Sequence, residues 1–273
     1  MAKGISESLI IVRSGGDLAT GIVQKLWHGG FKVLILEVAV PLTIRRTVAL
    51  SEAVRQGRCQ VEDLTAVKVN SIEECSKVWQ SGAIPVLVDQ EALSIKRLKP
   101  DVVVDAIIAK RNLGTYREMA PIVIALGPGF TAPEEVDVVV ETMRGHYLGQ
   151  LIRKGTALPN TGIPGQLGGK SGERVVHAPC EGVVQHVATL GEQVAKGQLL
   201  FYIDGKPIYS PLKGTLRGLI SNKQQIMKGL KCADVDPRPV DQVDCYTISD
   251  KARALGGAVL EAVLLIGNEK ELF

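Results

Sequence analysis

Residues 179–207 read PCEGVVQHVATLGEQVAKGQLLFYIDGKP, and residues 211–239 read PLKGTLRGLISNKQQIMKGLKCADVDPRP, so the second stretch repeats the first with a period of 32 residues. The identities at this offset pair Pro179, Gly182, Gln193, Lys196, Gly197, Asp204 and Pro207 with Pro211, Gly214, Gln225, Lys228, Gly229, Asp236 and Pro239. A period kept over two copies indicates one supersecondary unit built twice, in which each copy buries the apolar side of the other.

The repeated unit predicts a small all-β domain over residues 173–245. Each copy consists of short apolar runs separated by Pro-x-x-Gly and Lys-Gly turns, and this arrangement resembles the two-fold barrel-sandwich of biotinyl and lipoyl carriers. Those carriers present a lysine on the hairpin between the halves. Here Lys206 stands only five residues before Pro211, so the hairpin is too short for that role. We therefore expect a barrel-sandwich that is not a covalent carrier.

Composition predicts a cytoplasmic protein with a large aliphatic core. The 273 residues are 45% hydrophobic but only 4% aromatic, and the net charge is +3. That charge gives no electrostatic case for nucleic acid or a membrane surface as a partner. The five cysteines form no C-x-x-C pair, which indicates a reducing compartment and gives no metal-site spacing. The N-terminus lacks the apolar segment of a signal peptide.

The first 152 residues alternate apolar runs with helical patterns. The runs at 9–12, 32–36, 85–88, 102–108, 122–126 and 136–140 read as buried strands, with helices predicted at 20–27, 51–56, 71–80, 90–97 and 112–119. This alternation predicts a Rossmann-like α/β domain with a parallel sheet. A helix over 252–266, within a C-terminal segment 246–273, is expected to pack back on that domain.

Ligands of open parallel sheets bind outside the carboxyl ends of the strands, so the residues that follow each strand are the candidates. After the first strand, Gly15, Gly16, Asp17 and Gly21 form a glycine-rich turn before a helix, which suits a phosphate. Leu18 stands where the dinucleotide fingerprint has its middle glycine, so a tight packing turn is an equal alternative. Glu37, after the second strand, is placed to bind ribose hydroxyls, and it could equally be a solvated acid.

Cationic and reactive side chains follow the remaining strands. Arg45 and Arg46 could hold a phosphate or remain a surface pair. Lys110 is a candidate anion ligand, and Gly127 and Gly129 could present backbone N–H groups. The segment 141–149 carries the densest reactive set: Glu141 and His146 are the acid–base candidates, and Arg144 is a further anion ligand. Together they predict a pocket for an anionic, phosphate-bearing ligand.

Four motifs taken together resemble one family. They are RSGGDLATG (13–21), P-x-x-IRRTV (41–48), GPGF-x-AP (127–133) and ET-x-RGH-x-LG (141–149). In this order they are similar to accessory proteins of selenium-dependent molybdenum hydroxylases, the YqeB family. The resemblance implies a role in maturing such a hydroxylase, with the hydroxylase or its assembly machinery as partner and the molybdenum cofactor or a nucleotide as ligand.

Two other functions stay open at this stage. An NAD(P)-dependent oxidoreductase would fit the first glycine loop and Glu37, although Leu18 and the lack of a clear catalytic triad count against it. A non-catalytic scaffold that docks on the molybdoenzyme is the third possibility. Whether a reaction is catalysed is not decided by the residues.

Overall fold

The computed structural model describes residues 3–162, 165 and 168–273. The chain divides into two compact units. The first contains residues 1–41, 49–160 and 248–273, and the second contains residues 42–48 and 161–247. The predicted domain boundaries at 1–152, 173–245 and 246–273 stay a prediction.

A nine-stranded sheet forms the first unit. Its strands are β1 (Leu9–Arg13), β2 (Lys32–Glu37), β3 (Arg58–Val61), β4 (Leu64–Val69), β5 (Ile84–Val88), β6 (Val102–Asp105), β7 (Ile122–Leu126), β8 (Val138–Val140) and β9 (Leu151–Ile152). They lie in the order β3-β4-β5-β2-β1-β6-β7-β8-β9. From β4 to β8 in this order, neighbouring strands are parallel. The strands β1, β2, β6, β7 and β8 are apolar runs that are buried almost throughout, as is typical of parallel strands covered on both faces.

The predicted fold class is wrong for this sheet. Instead of a Rossmann-like parallel sheet, the first unit has a mixed sheet, since β3 pairs antiparallel with β4 and β9 pairs antiparallel with β8. Sequence reasoning missed these edge strands for a physical reason. β3 carries Arg58 and Gln60 on an exposed edge, and edge strands with charged residues lack the continuous apolar run that marks a buried strand.

The described residues form five α-helices beside the strands. They are α1 (Asp17–His28), α2 (Ala53–Gln56), α3 (Cys75–Gln80), α4 (Ser94–Leu98) and α5 (Asp250–Glu269). The helix predicted over 112–119 is wrong, because only Arg117–Met119 forms a single 3-10 turn. There the Asn112 side chain bonds both the N–H and the C=O of Thr115, and such local bonds compete with helix formation.

Helices α1 and α5 pack through glycines. A Cβ at Gly21 would lie 2.4 Å from the Ala252 carbonyl oxygen, and one at Gly256 would lie 2.3 Å from the Gly21 oxygen. Gly29 also faces Leu260. Contacts therefore advance in the same direction along both helices, so α1 and α5 run parallel and begin at the same edge of the sheet.

The second unit contains two four-stranded antiparallel sheets. Its strands are β10 (Val175–His177), β11 (Gly182–His186), β12 (Gln193–Val194), β13 (Leu199–Ile203), β14 (Lys206–Tyr209), β15 (Gly214–Leu219), β16 (Gln225–Ile226) and β17 (Lys231–Asp236). The sheets are ordered β10-β17-β15-β12 and β14-β13-β11-β16. Each copy of the repeat gives one short strand, β12 or β16, to the sheet of the other copy, and the apolar residues of both share one core.

The biotinyl- or lipoyl-like barrel-sandwich predicted for this region is likewise corrected. The strands form two separate small sheets, which the 32-residue period alone could not distinguish from a barrel-sandwich. The period identifies which strands are equivalent, but it does not show how those strands are distributed between sheets.

Candidate functional site

The carboxyl ends of β2, β1, β6, β7 and β8 lie in a row along one edge of the sheet, because these strands are parallel neighbours. The strand order also reverses at β1, with β2 on one side and β6 on the other. Most of the predicted site residues of the first unit follow these strands. The edge is therefore the candidate site.

The glycine loop after β1 is tightly held by backbone contacts. The Gly15 oxygen accepts the Ser51 N–H at 2.8 Å, and a Cβ at Gly15 would lie 2.9 Å from the Ser51 nitrogen. Gly16 is the N-cap of α1, and Asp17 stands in its first turn. Gly21 packs against α5, which by itself requires a glycine. An acid at the start of α1 offsets the helix dipole, so Asp17 reduces the attraction that this helix end offers to an anion.

Glu37 is turned toward the glycine loop. Its Oε2 accepts the Gly15 N–H at 2.8 Å, and its Oε1 accepts the Val38 N–H at 2.8 Å. Burial raises the pKa of this carboxyl, and the two backbone N–H groups oppose the shift. The structure thus gives Glu37 a role in fixing the loop, and its contact with a ribose stays a prediction.

A buried polar network joins the ends of β1 and β6. Asp105 accepts a hydrogen bond from the Thr115 hydroxyl at 2.6 Å and lies 3.6 Å from the Arg13 guanidinium, which also bonds the Thr115 oxygen. Burial raises the pKa of Asp105, while Thr115 and Arg13 lower it. A buried acid is costly without partners, and the partners of Asp105 depend on the adjacency of β1 and β6, which the sequence alone does not give.

The loops after β6 and β7 approach each other. Gly129, with φ of +109°, would place a Cβ 2.6 Å from the Arg111 Cα, so only glycine fits there. Lys110, next to this contact, is exposed and has φ of +63°. Gly127 faces Thr142, beside Glu141, with φ of +76°. The structure therefore brings Lys110 and Gly129 together and places Gly127 beside the loop after β8.

Glu141 anchors the loop that follows β8. It is 2% exposed, and its two carboxylate oxygens accept the Met143 and Leu158 N–H groups, each at 2.7 Å. Its oxygens therefore have backbone partners, whereas a general acid or base must reach a substrate proton. His146 lies exposed in the same loop. Catalysis by these two residues stays a prediction.

Lys251, in the first turn of α5, joins the candidate site although sequence analysis missed it. Its neighbour Asp250 forms a bidentate ion pair with Arg144 at 2.8 and 3.0 Å, and Ala252 packs on Gly21. Lys251 is thereby held where α1, α5 and the loop after β8 meet. Burial and the charge of Arg144 lower the pKa of Lys251, while Asp17, Glu141 and Asp250 oppose the shift.

The other two predicted ligands, Arg45 and Arg46, belong to the second unit. The Nε of Arg46 donates to the Leu219 carbonyl oxygen at 2.8 Å, next to the Leu219 N–H bond to Ile44. Arg45 is buried and lowers the pKa of Asp244. Both arginines thus contribute to the second unit itself, and their contact with a ligand stays a prediction.

The thiols lie mostly in buried positions. Burial raises the pKa of Cys59 and Cys75 to about 11 and that of Cys232 to about 12. Since the thiolate is the reactive form, these three are poor candidates for relaying sulfur or selenium. Among the described residues, no group of three or more His, Cys, Asp or Glu side chains could hold a metal ion. Within the same part of the chain, none of the helices has the length and apolarity needed to cross a membrane.

Comparison with known sequences identifies one relative. The chain is 45% identical over 261 residues to "Uncharacterized protein YqeB" of Escherichia coli strain K12. The match covers 96% of this chain but 48% of the relative, so the chain spans about half of that protein's length. It supports the YqeB family, which the four motifs indicate. No protein-family model matches the chain.

Comparison with solved structures finds distant likenesses only. An aspartoacylase family protein from Mesorhizobium loti is 9% identical, with 85% of each chain covered and a TM-score of 0.26. A succinylglutamate desuccinylase from Silicibacter is 12% identical, with 84% of each covered and a TM-score of 0.25. The ectoine utilization protein EutE from Ruegeria pomeroyi is 14% identical, and the match covers 84% of this chain and 57% of EutE with a TM-score of 0.23. TM-scores this low transfer neither fold nor activity to this chain.

Proposed function

We propose the following function for this relative of YqeB: it is an accessory protein in the maturation of selenium-dependent molybdenum hydroxylases, and its first unit binds a phosphate-bearing ligand at the carboxyl edge of its sheet. The ligand would be the molybdenum cofactor, handled as cargo, or a nucleotide. The maturation role rests on the resemblance of the four motifs to the YqeB family.

The reversal of strand order at β1 is the observation that carries the ligand site. Strands β2 and β6 flank β1 on opposite sides, and a crevice opens at such a point because the connections leave in opposite directions. The Gly15–Gly16 loop and the start of α1 lie there. Lys251 adds an amine to the same edge, and a half-buried amine gains more from an anionic partner than an exposed one does.

A thermal-shift panel on the purified chain tests the ligand site. The ligands are NAD, NADP, AMP, ATP, CTP and a molybdopterin-containing extract. A ligand at about a hundred times its Kd adds roughly 2.7 kcal/mol and raises Tm by several degrees. We expect a shift with the pterin fraction that Lys251→Met reduces and that Lys77→Met, at an exposed site, leaves unchanged. A shift confined to NAD and NADP would instead support the oxidoreductase. If no ligand shifts the Tm, the non-catalytic scaffold is the function that remains.

The maturation role has its own test. A selenium-dependent molybdenum hydroxylase is purified from cells with and without this chain, and its molybdenum and selenium contents are measured. We expect hydroxylase of unchanged abundance with reduced content of one or both elements when the chain is missing. Equal contents in the two preparations would contradict the maturation role.

A further inference from the structure

A second charged cluster lies in the other unit. Arg174 and Arg217 both bond Asp234, the former at its Oδ1 and the latter at its Oδ2 over 3.1 Å. Arg238 forms a bidentate pair with Asp236 at 2.9 and 2.7 Å. The Arg217 guanidinium also lies 3.7 Å from Asp236, so the five side chains form one arginine–aspartate cluster.

The arginine–aspartate cluster carries more positive than negative charge. Its three guanidiniums face two carboxylates, and the bonds from Arg238 and the charge of Arg217 hold the pKa of Asp236 below its usual range in spite of burial. Asp234 is 1% exposed, Asp236 0% and Arg174 5%. The excess of one positive charge lies beside these buried groups, so the cluster favours an additional anion.

Two of the guanidiniums retain free donors. Within residues 3–162, 165 and 168–273, the buried Nε atoms of Arg174 and Arg217 have no hydrogen-bond partner. The side chain of Arg174 is 6% exposed. A guanidinium offers its Nε–H and Nη–H together as a fork that matches an oxyanion. The Nη atoms of Arg174 already bond Asp234 and the Gly165 carbonyl oxygen, so the Nε–H groups of Arg174 and Arg217 are the donors left for an oxyanion.

A β-bulge places Arg217 over both aspartates. Leu216 pairs with Val235 and Gly218 pairs with Asp234, so Arg217 is the extra residue on β15. A bulge redirects one side chain out of the regular alternation of a strand. Here it brings the Arg217 guanidinium within reach of Asp234 and Asp236, which are two apart on β17 and share one face.

The first copy of the repeat shows that the fold does not require this cluster. The positions 32 residues before Arg217 and Asp234 are Gln185 and Tyr202, which pair directly across β11 and β13 without a bulge. The same strand arrangement therefore forms with neutral residues. Arg217, Asp234 and the bulge between them are additions to the second copy alone, which is the distribution expected of a binding site.

We propose that the arginine–aspartate cluster binds the phosphate group of a small ligand, either inorganic phosphate or a phosphate monoester. The anion neutralises the excess charge and accepts hydrogen bonds from Arg174 and Arg217. The site belongs to the second unit and is independent of the ligand proposed for the sheet edge.

Isothermal titration of the full chain with inorganic phosphate, at constant ionic strength against chloride, tests the proposal. We expect saturable binding that Arg217→Gln, which installs the residue of the first copy, weakens at least tenfold. The control Arg97→Gln removes an arginine from an exposed ion pair with Glu73 and should leave the affinity unchanged. Titration with AMP in place of phosphate distinguishes the sources, since a monoester ligand binds more tightly than phosphate and competes with it.

Asp234→Asn gives a result of opposite sign. Because it removes a competing negative charge, it should tighten phosphate binding, and phosphate should restore the Tm that the substitution lowers. If Arg217→Gln does not fold, Arg238→Gln, whose side chain is 39% exposed, takes its place. The proposal would be overturned if phosphate gave no heat of binding with the wild-type chain, or if Asp234→Asn did not bind phosphate more tightly. It would also be overturned if the affinity for phosphate depended on Lys251 but not on Arg217.

Discussion

At the scale of single residues, Lys251 is informative because the pKa of its amine is lowered. Burial and Arg144 lower its pKa below the usual 10.5, so the folded state favours the neutral amine. The contribution of Lys251 to the free energy of unfolding is complete above pH 10.5, and it is lost as the pH falls through the lowered pKa of the folded state. A bound phosphate reverses this preference, because a nearby negative charge stabilises the ammonium.

We therefore predict that the pKa of Lys251 rises when the ligand of the first unit binds. The measurement is an NMR titration of the lysine Cε resonances, with Lys251→Arg used to assign the signal. In the free protein the Lys251 signal should titrate below 10.5, and adding the ligand should move its midpoint upward. A midpoint that stays fixed at saturating ligand would remove Lys251 from the site.

Thr115 is predicted to stabilise the first unit through the buried network of Arg13 and Asp105. Thr115→Val keeps the shape but leaves a buried carboxylate and a guanidinium each without one partner, which costs about 1–3 kcal/mol of the free energy of unfolding. Urea unfolding measures the loss. Thr156→Val, at an exposed position, should change stability by no more than about 0.5 kcal/mol; equal losses in the two variants would show that the network contributes nothing.

At the scale of elements, adjacent glycines of α5 should respond in opposite ways to alanine. A Cβ at Gly256 would meet the Gly21 oxygen at 2.3 Å, whereas a Cβ at Gly257 has nothing within 4 Å. Gly256→Ala must push α1 and α5 apart, at a cost of roughly 1–3 kcal/mol. Gly257→Ala should stabilise the exposed side of the helix by up to about 1 kcal/mol. Thermal unfolding of the two variants decides this, and a loss of stability in both would mean that packing does not separate the pair.

The same helices show how far the sequence reaches. Apolar runs predicted β1, β2, β5, β6, β7 and β8, because burial on both faces leaves a signal in one stretch of chain, and β1 and β7 begin within a residue of their expected positions. They did not predict β4, in which only alternate residues are fully buried for most of its length. Within α5, the pair Gly256–Gly257 is locally unfavourable, since glycine disfavours helix. Glycine is needed at position 256 because α5 packs closely on Gly21, which is more than 200 positions away in the sequence. The placement of Lys251 at the sheet edge depends on the same distant contact.

The candidate site was predictable only in part for a related reason. Strand ends such as Gly15, Glu37 and Glu141 could be located, because strand boundaries are local. What each group bonds to is set by neighbours in space, and Glu37 and Glu141 both accept backbone N–H groups. Arg217 of the arginine–aspartate cluster carries no local signal of its role, because its contacts depend on the bulge in the pairing of β15 with β17.

At the scale of the whole molecule, two cores support two units, and one core should be weakened without the other. Leu216, fully buried in the second unit, packs with the apolar residues of both repeat copies. Leu216→Ala leaves a cavity there and should cost about 2–5 kcal/mol. Local opening then becomes more frequent in that unit alone. Hydrogen exchange should accelerate in β13, β15 and β17, while β1, β6 and β7 keep their protection. Leu264→Ala, at a 41% exposed position of α5, is the control and should change neither set. If protection fell equally in all six strands, the units would unfold together, and the two phosphate sites proposed for them would have to be tested as coupled.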